Sequence, residues 1–253
     1  MTRTADHDLW FRRYHPAGRS RVRLVCFPHA GGSASFFFPV SAALSPGIDV
    51  LAVQYPGRQD RRTEPGIDDI PALAELIFRS TDVWGDGPLA LFGHSMGATL
   101  AFEVARRIER ELGVTPVRLF ASGRRAPSCT RDESVHSRDD DGIVRELQLL
   151  SGTDARVLGD EELLRMVLPA LRSDYRAIET YRCEGGASVA CPVTVMTGDA
   201  DPRTSMEEAG AWRDHTSGEF DLEVFPGGHF FLAAQQQAVL KVIGERLAPV
   251  PAS

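Results

Sequence analysis

Lysine is almost absent from this sequence. The 253 residues include 28 basic side chains, and Lys241 is the single lysine among them, so the other cations are arginines. Against them stand 35 acidic residues, which leaves a formal net charge of −7. A nucleic-acid-binding protein needs a basic surface to neutralise phosphates, so this balance argues against nucleic acid as a partner. Because arginine binds carboxylates and phosphates with a planar, two-pronged group, the positions of individual arginines are informative.

Cysteines and long apolar runs are also few. The four cysteines are scattered without a Cys-x-x-Cys pair, which argues against a disulfide framework or a structural zinc site. No apolar run approaches the roughly 20 residues of a membrane-spanning helix. Charged residues also interrupt the N-terminal segment, where a signal peptide would need an apolar core. These absences predict a cytoplasmic protein that does not associate with membranes.

What the sequence does contain is an alternation of short apolar runs and amphipathic helical patterns. Apolar residues make up 43% of the chain, which is enough for a sizeable core. Strands are predicted at residues 23–27, 49–54, 89–92, 117–122, 193–197 and 222–225. Helices are predicted between them, at residues 35–44, 70–81, 98–112 and 233–247. Because short, nearly all-apolar strands are typical of sheets covered on both faces, we expect an α/β fold with a mostly parallel sheet flanked by helices.

One interval, from residue 126 to residue 190, breaks this alternation. It lacks a strand pattern and shows helical patterns at residues 142–150, 160–170 and 171–181. We expect it to form a helical lid inserted into a single domain that spans residues 1–253, with the core at residues 1–125 and 191–253. Its apolar residues are expected either to face a substrate channel or to form the lid's own core, and the pattern leaves both open. They are Leu163, Val167, Leu168, Leu171, Tyr175 and Ile178.

The sharpest local motif is Gly93-His94-Ser95-Met96-Gly97, which lies between a predicted strand and a predicted helix. A Gly-x-Ser-x-Gly sequence alone is weak evidence, but a strand–turn–helix context is that of a nucleophile elbow. The sharp turn requires small residues two before and two after the serine, because a Cβ there would collide with the neighbouring backbone. The motif therefore predicts Ser95 as a catalytic nucleophile.

A serine hydroxyl needs a base, and the base needs a group that orients it. Asp199 and Asp201 follow the fifth predicted strand, and His229 follows the sixth. The order Ser, Asp, His is that of an α/β-hydrolase, whose site forms at the carboxyl ends of the strands. We favour Asp201 over Asp199 because Pro202 restrains its backbone, and Asp199 would then be a turn residue. The remaining histidines, His215 among them, are interpreted as loop or surface residues.

Acyl transfer also needs two N–H donors for the oxyanion of its intermediate. One is expected to be the backbone amide of Met96, directly after the nucleophile. The second is expected from the loop after the first predicted strand, and we favour the amide of Ala30. This mechanism calls for no metal and no organic cofactor.

Taken together, the motifs resemble the stand-alone (type II) thioesterases associated with polyketide and non-ribosomal peptide synthases. The resemblance extends from about residue 24 to residue 247. It rests on six motifs in order: CFPHAGG (26–32), QYPGRQDRRTEP (54–65), FGHSMGA (92–98), LPALRSDYRAIETY (168–181), GDADP (198–202) and GGHFFL (227–232). It implies an α/β-hydrolase core with a helical lid and triad roles for Ser95, Asp201 and His229. It also implies hydrolysis of acyl thioesters from the phosphopantetheine arm of acyl or peptidyl carrier proteins, including stalled or wrongly primed units.

Three alternatives to this function stay open. A general carboxylesterase or acyl-CoA thioesterase would share the same triad. A chain-releasing thioesterase would normally end a synthase, but only about 20 residues precede the first predicted strand, so we expect no carrier domain within this chain. The third alternative is a hydrolase-fold binding protein without catalysis.

An acidic chain and a carrier protein, which is typically acidic too, associate only where a local cationic patch outweighs their repulsion. Two loops near the predicted site carry arginines that are candidates for contact with the pantetheine phosphate or the carrier surface. For each of them, a structural ion pair or a solvated surface position is the alternative. These residues are Arg58, Arg61, Arg62, Arg124 and Arg125.

Overall fold

A twisted sheet organises the chain in the computed structural model, which describes residues 3–18, 20, 22–85, 87–150 and 161–248. Within those residues the sheet has seven strands in the order β1-β3-β2-β4-β5-β6-β7. Only β1 runs antiparallel to its neighbour, so the predicted mostly parallel sheet is confirmed. The strands are β1 (Phe11–Arg12), β2 (Val22–Phe27), β3 (Ile48–Val53), β4 (Leu89–His94), β5 (Arg118–Ser122), β6 (Val193–Gly198) and β7 (Phe220–Phe225).

Helices cover both faces of the sheet. Successive side chains of a strand point to opposite faces, so Leu91 of β4 packs into one apolar cluster and Phe92 into the other. No helix of the described part is long and apolar enough to cross a membrane. The helices are α1 (Arg3–Trp10), α2 (Phe38–Leu44), α3 (Ile70–Arg79), α4 (Met96–Arg107), α5 (Asp140–Leu150), α6 (Glu161–Thr180), α7 (Met206–Gly210), α8 (Phe231–Ala234) and α9 (Gln236–Leu247).

The predicted helices at residues 160–170 and 171–181 are one helix in the structure. Helix α6 continues through Pro169, although proline removes a hydrogen bond from a helix interior. Leu168 and Leu171, on either side of the proline, pack into one apolar cluster, which favours a continuous helix there. Residue 160, where the first of the two was expected to begin, lies outside the described residues.

Helices α5 and α6 lie in the helical segment (residues 123–192) that connects β5 to β6. Their shared apolar cluster is separate from the two clusters on the sheet faces. It consists of Val135, Ile143, Leu147, Leu168 and Leu171. The helical segment therefore has a small core of its own above the carboxyl edge of the sheet.

Candidate active site

Ser95 occupies a sharp turn between β4 and α4. Its backbone angles, φ 55° and ψ −120°, lie in a region that residues with a side chain rarely adopt. A Cβ added to Gly93 would lie 2.1 Å from the Gly97 carbonyl oxygen, and one added to Gly97 would lie 2.0 Å from the Phe27 carbonyl oxygen. The two glycines are therefore needed for the turn, as the motif predicts.

The His229 imidazole connects Ser95 to Asp201. Its Nε2 lies 3.0 Å from the Ser95 Oγ, and its Nδ1 lies 3.0 Å from each carboxylate oxygen of Asp201. The Asp201 side chain is fully buried and that of His229 is nearly so. The structure thus brings together the three side chains that the sequence analysis selected, in hydrogen-bonding order.

Asp199 lies close by but does not contact the imidazole. Its Oδ1 accepts a hydrogen bond from the Gly227 N–H at 2.9 Å. Asp199 therefore fixes the loop that carries His229, rather than its own loop as a turn residue would. The strands also approach closely here, because a Cβ on Gly198 would lie 2.3 Å from the Gly227 carbonyl oxygen.

Two backbone amides near Ser95 donate no hydrogen bond within the described part of the chain. Met96 is the first residue of α4, and a helix leaves its first N–H groups without an intrahelical acceptor. Ala30 lies in the β2 loop (residues 28–34), and its N–H donates to no other described group. Both amides are therefore available to an oxygen atom of a bound molecule.

The β2 loop is supported by residues of the motif at 54–65, a role that the sequence analysis did not recognise. The Gln54 side chain accepts a hydrogen bond from the Ala34 N–H at 3.0 Å, and the buried Tyr55 hydroxyl donates to the Pro28 carbonyl at 3.1 Å. Their position directly after β3, whose neighbour is β2, is the one sequence signal that could have indicated this role.

Neutral imidazoles surround His229. Burial lowers the pKa of His29 to about 3, with His229 and Arg58 as further causes. Burial also lowers the pKa of His94 well below its usual value, and His94 Nδ1 lies 3.0 Å from the Ser122 hydroxyl. Both rings pack edge-on or tilted against Phe230. His29 and His94 thus form an uncharged wall beside the triad.

A cavity of about 540 Å³ opens over Ser95 and His229. One side is formed by the β2 loop, Phe36 and Phe230, and the other by the helical segment. The sequence left open whether the apolar residues of the predicted lid face a channel or form the lid's own core. Leu168 packs in the cluster between α5 and α6, whereas Leu171 both packs there and lines the cavity. Residues of α5 and α6 that line the cavity are Leu147, Leu150, Val167, Leu171, Tyr175, Ile178 and Glu179.

Three of the five candidate arginines are buried in ion pairs. Arg58, 7% exposed, binds Asp174 with both terminal nitrogens, at 2.7 and 2.9 Å. Arg61, 3% exposed, binds Glu64 at 2.6 and 2.8 Å. Arg125, also 3% exposed, pairs with a glutamate of the cavity wall. The predicted contact of these three with a carrier protein or a phosphate does not fit the structure, because each guanidinium is already bound inside the protein.

Arg62 and Arg124 are placed differently. Arg62 is exposed on the segment that supports the β2 loop. Arg124 lines the cavity, and its guanidinium forms no ion pair or hydrogen bond with another described residue. Burial and the neighbouring Arg125 lower the pKa of Arg124 to about 9, so it is still a cation at neutral pH.

The carboxylates of the cavity wall are compensated by their neighbours. Burial alone would raise the pKa of Glu133, but Arg125 and Arg203 outweigh it and lower the pKa to about 2. Glu179 accepts hydrogen bonds from the amides of Val135 and His136. In the described part of the chain, no group of three or more His, Cys, Asp or Glu side chains could hold a metal ion.

Comparison with known proteins relates this site to a family. The family model described as a thioesterase domain matches residues 22–247. The protein named "Probable cadicidin biosynthesis thioesterase" from Streptomyces griseus is 59% identical over 248 residues, which cover 97% of this chain and 68% of the relative. "Thioesterase PikA5" from Streptomyces venezuelae is 52% identical over 243 residues, or 96% of this chain and 86% of the relative.

Solved structures agree with this relationship. The type II thioesterase BorB from the borrelidin biosynthetic cluster superimposes with a TM-score of 0.89 at 51% identity, covering 95% of this chain and 98% of BorB. Human thioesterase 2, at 21% identity and a TM-score of 0.64, shares the fold. The predicted α/β-hydrolase fold and the resemblance to stand-alone (type II) thioesterases are thus confirmed.

Proposed function

Because the chain belongs to the thioesterase family, we propose that it hydrolyses acyl thioesters on the phosphopantetheine arm of acyl or peptidyl carrier proteins, through an acyl-Ser95 intermediate. The observation that carries this proposal is the Ser95–His229–Asp201 hydrogen-bond chain at the floor of the cavity. Removal of stalled or wrongly primed acyl units is the role we assign to it. The names of the relatives from cadicidin and borrelidin biosynthesis support a role in a biosynthetic pathway.

In the first half of the proposed reaction, the Ser95 Oγ attacks the thioester carbonyl carbon while His229 Nε2 takes the hydroxyl proton. The carbonyl oxygen becomes an oxyanion and accepts hydrogen bonds from the Ala30 and Met96 amides. Collapse of this intermediate breaks the carbon–sulfur bond, and the departing pantetheine thiolate takes the proton from His229. Asp201 orients the imidazole and stabilises its charged form throughout.

In the second half, water attacks the acyl-Ser95 ester. His229 takes a proton from the water, and the same two amides bind the second oxyanion. Collapse then releases the carboxylic acid and returns the proton to Ser95. Because the cavity-lining residues of α5 and α6 are apolar except for Tyr175 and Glu179, we assign the acyl chain to that side of the cavity. In this proposal residues 126–190, the part of the helical segment that the sequence predicts as a lid, act as the lid.

Replacement of the triad residues tests the mechanism. Ser95→Ala and His229→Ala are each expected to abolish turnover of a simple acyl-pantetheine thioester, measured by release of the free thiol. Asp201→Asn is expected to lower kcat by about 10⁴-fold, because an asparagine does not hold the His229 imidazole in the correct tautomer. Asp199→Asn is the matched control: its amide oxygen still accepts from the Gly227 N–H, so a far smaller effect is expected. Near-wild-type rates in Ser95→Ala or His229→Ala would contradict the mechanism.

The acyl carrier is tested by comparing matched substrates. Hydrolysis of one acyl group is measured on a carrier protein, on free pantetheine and as an oxygen ester. A strong preference for the carrier-bound thioester supports the proposal, whereas equal rates on the oxygen ester would favour a general carboxylesterase. Covalent labelling of Ser95 by a fluorophosphonate separates both from a binding protein without catalysis.

The two arginines left without a buried partner have different proposed roles. Arg62 is exposed, so Arg62→Glu is expected to lower kcat/KM severalfold for the carrier-bound substrate and to spare free acyl-pantetheine. Arg110→Glu is the control, because Arg110 is also exposed and lies just beyond the end of α4 that is far from Ser95. Arg124 lines the cavity, where we propose that it contacts an oxygen of the pantetheine arm, so Arg124→Met is expected to lower both rates. Equal loss on both substrates in Arg62→Glu would count against a carrier contact.

A further inference from the structure

The β2 loop, which carries the Ala30 amide, is bound by a carboxylate from a distant part of the chain. Asp174 of α6 accepts a hydrogen bond from the Gly31 N–H, with 2.7 Å between the nitrogen and Oδ2. The same carboxylate accepts two further hydrogen bonds from Arg58, and only 1% of it is exposed. Charge-assisted hydrogen bonds of this kind are among the strongest and most directional in proteins.

Arg58 extends this contact along the loop. Its Nη1 also donates to the Gly32 carbonyl at 3.0 Å, and its Nε donates to the Pro56 carbonyl at 3.1 Å. The β2 loop is thus connected to the segment after β3 and, through Asp174, to α6. The charges of Arg58 and Asp174 thus compensate each other inside the protein.

Helix α6 also packs directly against the loop. Gly31 has a φ of +74°, and a Cβ added to it would lie 2.4 Å from Leu171 Cδ2. Leu171 and Asp174 are three residues apart and therefore lie on the same side of α6. One side of this helix thus supplies both the apolar contact and the acceptor for the Gly31 amide.

We infer that Asp174 is a positioning residue for the oxyanion hole, and that the hole is assembled only while α6 is seated on the β2 loop. The inference rests on the proposed function, since it concerns the same site. Withdrawal of α6 would leave Arg58 without its counter-charge and the Gly31 N–H without an acceptor, and both are costly in a buried place. The loop then rearranges, and the Ala30 N–H moves with it because it belongs to the preceding peptide.

The first test compares Asp174→Asn with Asp68→Asn. Asp68 pairs with Arg176 of α6 at 3.3 Å, but both side chains are more than half exposed, so it is a matched ion pair of α6 that does not touch the β2 loop. Asp174→Asn is expected to lower kcat on acyl-pantetheine about ten- to a hundredfold with KM nearly unchanged, because the oxyanion forms only after the attack. Asp68→Asn is expected to keep both constants within about twofold.

A second measurement separates positioning from a general loss of structure. A trifluoromethyl ketone analogue of the substrate adds to Ser95 and places an oxyanion between the two amides, whereas a thioether analogue binds without one. Asp174→Asn is expected to weaken the ketone by about the same factor as kcat/KM and to leave the affinity for the thioether unchanged. Equal weakening of both analogues, or an unchanged kcat, would overturn the inference.

A double variant covers the case in which Asp174→Asn fails to fold. Replacing a buried ion pair by apolar residues of similar size can preserve stability, so Arg58→Met combined with Asp174→Leu is expected to fold. In this double variant the Gly31 N–H has no acceptor at residue 174, and kcat is expected to be low. A near-wild-type kcat in this variant would refute the role of Asp174. Failure of the wild-type protein to hydrolyse thioesters would instead contradict the proposed function, so the two failures are distinguishable.

Discussion

At Gly97 the backbone of a neighbouring strand leaves no room for a side chain. Gly97 lies against the carbonyl groups of Phe27 and Pro28, at the point where β2 ends and the β2 loop begins. Neither carbonyl is the end of a flexible side chain, so a side chain at residue 97 can be accommodated only if the backbone moves. The same residue therefore affects the turn of Ser95 and the loop of Ala30.

Gly97→Ala is expected to lower the free energy of unfolding by about 1–3 kcal/mol, as overpacking does, and to lower kcat because the Ala30 amide is displaced. Chemical denaturation and thioester hydrolysis measure the two effects. Gly244→Ala is the control, since nothing lies within 4 Å of its Cβ position in α9. Helix propensity predicts that Gly244→Ala raises the free energy of unfolding by up to about 1 kcal/mol. A Gly97→Ala protein as stable and active as wild type would refute the packing argument.

Single residues also show what sequence reasoning can identify. Ser95, Asp201 and His229 were selectable because each follows a recognisable strand. The partner of Arg58 was not, because Asp174 lies 116 residues away and only the fold brings them together. His215 was interpreted as a surface residue, but it is buried, and its ring nitrogens lie 2.8 Å from the Ala187 carbonyl and 2.7 Å from the Ser128 hydroxyl.

At the scale of elements, α5 and the first half of α6 share an apolar cluster that is separate from the sheet clusters, whereas Ala177 and Ile178 of α6 pack in the cluster of one sheet face. The α5 side of this contact is therefore expected to open locally without unfolding the sheet. The six predicted strands agree with β2 to β7 within two residues, because apolar runs mark strands covered on both faces. By contrast, β1 has two residues and α7 has five, and elements that short show no periodicity in the sequence.

Leu168→Ala tests the independence of this helix pair. Removing a buried leucine is expected to lower the local free energy of opening by about 2–5 kcal/mol. Amides of α5 and α6 should then exchange hydrogen faster, while those of β4 and β5 keep their wild-type protection. Leu149→Ala, on α5 but 64% exposed, is the control and is expected to change neither. Equally faster hydrogen exchange in the strands of the sheet would show that the helix pair unfolds only together with the rest of the protein.

For the whole molecule, buried neutral histidines make stability depend on pH. His94 is completely buried, and burial, with the neighbouring His229 and His29 as further causes, holds its pKa well below the usual 6.5. The pKa of His29 is about 3, again mainly through burial. In the unfolded chain both imidazoles take up a proton below about pH 6.5, whereas in the folded protein they do not. The unfolded state therefore binds more protons, and acid favours it.

The free energy of unfolding is accordingly expected to be greatest above about pH 6.5 and to fall as the pH decreases toward the folded-state values. Each protected imidazole contributes about 1.4 kcal/mol of this loss between about pH 7.5 and 5.5. His94→Asn removes one titrating group, so its stability should decline less steeply over that range. Denaturant unfolding across the range measures the slope, and the difference at about pH 8 isolates the packing cost of the substitution. A slope identical to that of the wild type would show that His94 takes up its proton equally in the folded and unfolded states, and would contradict a lowered pKa for His94.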